Sequence, residues 1–62
     1  MFRLIATVKR GIASDLAEVW TPYRTLDEAR AAGASLSRYE RVAHVLIASD
    51  DIVPPAFVEW VS

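Results

Sequence analysis

No cysteine occurs in this 62-residue chain. That excludes disulfide staples, a thiolate nucleophile and cysteine-based zinc sites together. It also fits a reducing compartment, and a cytoplasmic protein is expected. Histidine occurs once, at His44, so any metal site would rest almost wholly on carboxylates. The only glycines are Gly11 and Gly33, which leaves no glycine-rich loop to cradle a phosphate. Long apolar runs are missing too. The opening segment is broken by Thr7 and then by Lys9 and Arg10, too early for a signal sequence or a membrane span. Nor is there an excess of one charge. Seven basic and eight acidic residues leave a net charge of −1, with an isoelectric point near 5.6. Bulk electrostatics therefore argues against a basic nucleic-acid binder.

What the chain does have is apolar side chains, at 53% of residues. Its length allows one domain, residues 1–62. A domain this small buries only about 60% of the surface its unfolded chain exposes, so it is marginal alone. With disulfides excluded, oligomerisation is the remaining usual remedy.

The sequence is organised around a helix predicted over Thr25 to Arg38. Thr25-Leu26-Asp27-Glu28 has the form of a capping box, in which the Thr25 hydroxyl accepts the Glu28 N–H and the Glu28 carboxylate reaches back. Asp27 and Glu28 sit where the helix dipole favours anions, and Arg38 is expected in the last turn, where a cation is favoured. Leu26, Ala29, Ala32, Gly33 and Leu36 share one face at 100° per residue. That face is small-sided. An interior glycine costs about 1 kcal/mol against alanine, and Gly33 therefore implies a close approach to another element.

Strands flank this helix. Phe2 to Lys9 alternates, with Phe2, Leu4, Ala6 and Val8 on one face. Gly11 is the natural site of a positive φ in the connection that follows. Leu16 to Thr21 reads as a second strand ended by Pro22. Arg41 to Ala48 is a third and the most apolar. Ser49-Asp50-Asp51 marks a turn, Pro54-Pro55 a stiff joint. Ala56 to Val61 is a fourth strand or a single helical turn, with strand preferred. The expected fold class is α+β: a small antiparallel sheet of three to four strands in the order 2-1-3(-4), built β-β-α-β with a C-terminal β, and one helix on one face.

One helix covers one face. The other face of such a sheet keeps apolar residues, and soluble monomers rarely expose large contiguous apolar patches. Either a partner covers it, most simply a second copy by two-fold symmetry, or the C-terminal segment folds back over it. Phe57, Val58, Trp60, Val61 and Trp20 are the expected interface residues, since tryptophan is enriched at interface hot spots. Trp60 is read equally as core and as dimer contact.

Chemistry is sparse. His44 lies mid-strand among apolar neighbours, with no spacing that supplies the partner a general base needs. A histidine on a half-buried sheet face or at an interface is the plainer reading. Neither catalytic residues nor a cofactor or metal site is assigned. Lys9 and Arg10 with Trp20 or Tyr23 form the nucleic-acid alternative, phosphate contacts beside stacking rings. A small-ligand binder or an enzyme completed at a dimer interface by His44 is the third. The leading expectation is a non-catalytic protein-interaction module, homodimeric through its apolar sheet face or C-terminal edge.

Overall fold

The structure is a computed structural model that describes residues 1–62. Strand β1 (Phe2–Val8) is followed by two short 3-10 turns, Ala13–Asp15 and Ala17–Val19, and then by helix α1 (Leu26–Leu36). Strands β2 (Val42–Ser49) and β3 (Ala56–Trp60) complete the chain. The three strands form one antiparallel sheet in the order β1-β2-β3. The α+β class and the antiparallel sheet with one helix are therefore as expected. The count of three lies within the expected three to four, but the strand expected at Leu16 to Thr21 is absent, so the order 2-1-3(-4) does not hold and the central strand is β2 instead of the first.

The reason lies in the spacing of apolar residues. Ala13, Leu16 and Val19 recur every third residue, which is the period of a 3-10 turn and puts all three on one side. Leu16 is buried, and Ala13 and Val19 pack against the same core. Only one bridge to this edge of β1 forms, at Tyr23, just past the expected strand. The Phe2 N–H donates to the Tyr23 carbonyl at 2.7 Å, and the Tyr23 N–H donates to the Phe2 carbonyl at 2.8 Å.

Helix α1 begins as predicted. Thr25 is its N-cap, and its Oγ1 accepts the Glu28 N–H at 3.1 Å. Ser37 is the C-cap, so Arg38 lies beyond the last turn. Ala29, Gly33 and Leu36 are buried against the sheet. Gly33 faces Val61, and a Cβ built on it would stand 2.8 Å from Val61 Cγ2. The close approach implied by the glycine is thus made by the C-terminal tail. Gly11 takes its positive φ, 75°.

Residues opposite one another in an antiparallel pair share a face. Leu4 pairs with Ile47 and Ala6 with Val45, and these four, all buried, form the core under α1 with Leu16, Ala29, Leu36 and Val42. Arg3 pairs with Ala48, Ile5 with Leu46 and Thr7 with His44, which places these six on the opposite, open face. Between β2 and β3 the register shifts. Ile47 lies opposite Glu59 and Ala48 opposite Phe57, leaving Val58 as the extra residue. Such a bulge turns two consecutive side chains the same way. Val58 packs against the core, and Glu59 reaches Arg30 on α1, with contacts of 2.8 to 3.2 Å. Phe57 and Trp60 are sent to the open face.

Candidate functional site

The open face is the site. Its floor is Ile5 on β1 with Leu46 and Ala48 on β2, and β3 adds Phe57 and Trp60 at its side. The two aromatic rings lie 5.9 Å apart at an interplanar angle of 57°. His44 meets Trp60 edge-on, with centroids 6.1 Å apart and planes at 72°. Trp60 is 60% exposed and Phe57 57%, so these rings cover part of the floor and still present most of their own surface to solvent. Ala48, by contrast, is buried on this face. The C-terminal segment therefore extends the sheet sideways and does not fold back across it.

Polar groups frame the patch. Arg3 stands at one end, 3.6 Å from Asp50. Thr7 and His44 are opposite one another at the other. His44 has an aromatic neighbour where an acid–base dyad would need a carboxylate. What this arrangement can do chemically is bury apolar and aromatic surface against something flat, with an imidazole and a guanidinium at its margins.

The expected interface residues divide. Phe57 and Trp60 are brought together on the open face. Val58 and Val61 are half-buried on the helix side and belong to the chain's own core. Trp20 lies apart from them, across the sheet beyond β1. It is 67% exposed, and its Nε1 donates to the Ser14 carbonyl at 2.8 Å.

The residues of the nucleic-acid alternative are not brought together. Tyr23 is bridged to Phe2 at the start of β1, while Lys9 and Arg10 follow its end, roughly 20 Å away at the rise of a strand. Arg10 is held by Glu40 at 2.9 Å. The Tyr23 ring packs against the core and its hydroxyl donates to the Glu18 carbonyl at 3.3 Å. Burial pushes its phenol above the ordinary value, with the Glu18 charge adding to the shift and a bond from Thr21 opposing it.

Several pairings had no local sequence signal, because their members are far apart in the chain. The Tyr39 hydroxyl donates to the Glu18 carboxylate at 2.8 Å, which raises the phenol's pKa. The N-terminal ammonium donates to Asp51 at 2.7 Å and holds that carboxyl below its usual value. Arg30 likewise lowers Glu59, chiefly by hydrogen bonding. The Asp27–Arg30 pair, three residues apart on the helix, is local instead. It forms at 3.5 Å, while the guanidinium makes its shorter contacts with Glu59. No helix is long and apolar enough to cross a membrane. No known family matches this chain, and no curated protein or solved structure is detectably similar to it.

Proposed function

We propose that this chain is a non-catalytic interaction module that acts as a homodimer, two copies packing open face to open face in a cytoplasmic setting. The carrying observation is the exposed aromatic pair Phe57 and Trp60 beside the apolar floor of Ile5 and Leu46, on the face that no element of the chain covers. Total accessible area does not make the case. The surface is 4015 Å², and a folded monomer of 6.9 kDa is expected to expose roughly 4000 Å². The argument rests on where the apolar area lies. Two antiparallel sheets pack about 10 Å apart with their inner side chains interdigitated, and rings standing up from a flat floor suit that geometry. A stable interface needs about 800 Å² from each partner, roughly one fifth of this surface.

The test is absolute mass by light scattering across a dilution series. The expected result is twice 6.9 kDa for the native chain and a monomer for Trp60→Glu, with Trp20→Ser remaining dimeric. A native chain that is monomeric at every concentration refutes the proposal. A Trp60→Glu chain that stays dimeric moves the interface away from this face.

A further inference from the structure

At the β1 margin of the sheet, the strand and the 3-10 turns border a cleft with two compartments. The inner one, of about 170 Å³, lies between Ile5 and Ala6 of β1 and Val19 and Trp20 at the end of the second turn. The outer one, of about 260 Å³, runs on past Trp20 to Asp50. Arg3, Val19 and Trp20 border both, so the two are continuous. Most of the inner lining is apolar, and Asp50 borders the outer compartment alone.

The two charges here are held differently from those elsewhere. Arg10 and Arg30 donate hydrogen bonds to their carboxylates at 2.9 and 2.8 Å. Arg3 and Asp50 approach only to 3.6 Å, too long for a hydrogen bond, and neither has another charged partner. Their side chains are 39% and 43% exposed, and Arg3 is more sheltered than Arg10 or Arg30. Attraction to a ligand is stronger in such a place than on open surface. The Trp20 ring beside them is fixed by its bond to the Ser14 carbonyl and is still largely exposed. A ring already held in place adds little ordering cost when something binds against it.

We propose that this cleft binds a free α-amino acid with an apolar side chain. The opposed charges select a zwitterion. The ligand carboxylate meets the Arg3 guanidinium, whose fork matches it with two parallel bonds. The ligand ammonium donates to Asp50, an acceptor only when ionised. Both ligand charges are carried on one carbon, which suits two side chains that already stand side by side. The apolar side chain passes the Trp20 ring into the inner compartment and is buried against Ile5, Ala6 and Val19. A simple anion is repelled by Asp50 and a simple cation by Arg3, so a ligand with one charge is disfavoured. Every group involved belongs to one copy of the chain, so the site stands without the open-face dimer.

The probe is L-leucine, titrated into the isotope-labelled full chain while shifts are read by NMR. The expected result is saturable shifts at Arg3 and Val19 and at the Trp20 indole, with a Kd in the millimolar range. Three analogues remove one feature each: isocaproate lacks the ammonium, isoamylamine the carboxylate and glycine the side chain. Each should bind at least about tenfold more weakly than leucine. In the protein, Arg3→Gln and Asp50→Asn should each weaken leucine binding about tenfold. Should either variant fail to fold, Trp20→Ala tests the shared wall, with a loss of about tenfold expected again. Absence of any saturable shift at tens of millimolar leucine overturns the proposal. Isocaproate binding as tightly as leucine overturns it too, since the cleft would then be a plain anion site. So does a response confined to Leu46 and Trp60, which would place the ligand on the open face.

Discussion

At the scale of single residues, Gly33 and Val61 decide how the tail is held. The helix carries its least favourable interior residue where Val61 arrives, and a Cβ there would stand 2.8 Å from a methyl of Val61. Alanine at 33 would gain about 1 kcal/mol of helix propensity and lose part or all of it to that contact. Leucine cannot be accommodated without expelling the tail. Gly33→Leu is expected to destabilise by about 2–3 kcal/mol, in the range of overpacked cores, and Val61→Ala in the same chain should restore part of it. A denaturant double-mutant cycle reads the coupling; additive changes would mean that the two residues do not press on each other. The glycine was legible in the sequence as a close approach. Its partner, 28 positions away, was not, because no local pattern marks which distant side chain fills a gap.

At the scale of elements, the segment between β1 and α1 shows what alternation conceals. Leu16 to Thr21 reads as a strand if period two is sought, yet Ala13, Leu16 and Val19 carry period three, and burial of Leu16 selected it. Leu16→Ala should therefore cost about 2–4 kcal/mol, as for a core leucine, although the residue sits between two surface turns. An unchanged thermal midpoint would mean that the turns are not anchored to the core. The helix, the first strand and the apolar strand after it were readable because their periods are long and their caps local. Strand β3 was readable as an element. The bulge that sends Val58 and Glu59 to one side and Phe57 and Trp60 to the other was not, since it is set by pairing with β2. Its consequence is an acid-sensitive join. Glu59, hydrogen-bonded to Arg30, has a folded-state pKa below its ordinary value. The stability it contributes is complete above that ordinary value and is lost as pH falls through the lower, folded-state one. Thermal midpoints measured from pH 7 down to pH 2 should fall less steeply in Glu59→Gln than in the native chain. Parallel curves would mean that the pair does not tie β3 to the helix.

At the scale of the whole molecule, ten buried residues out of 62 must outweigh the conformational entropy of the entire chain, which is why small domains sit near the threshold of stability. A chain so placed gains from any process that binds only its folded form. If the open face closes on a second copy, folding and association are coupled, and the thermal midpoint must depend on concentration. A tenfold rise in protein concentration changes the association term by about 1.4 kcal/mol per dimer, or about 0.7 kcal/mol per protomer. For a domain of this size that corresponds to roughly 3–6 °C. The native chain should show that slope across two decades of concentration, with Trp60→Glu flat and lower throughout. A midpoint independent of concentration in both would leave the aromatic pair as part of a self-sufficient monomer.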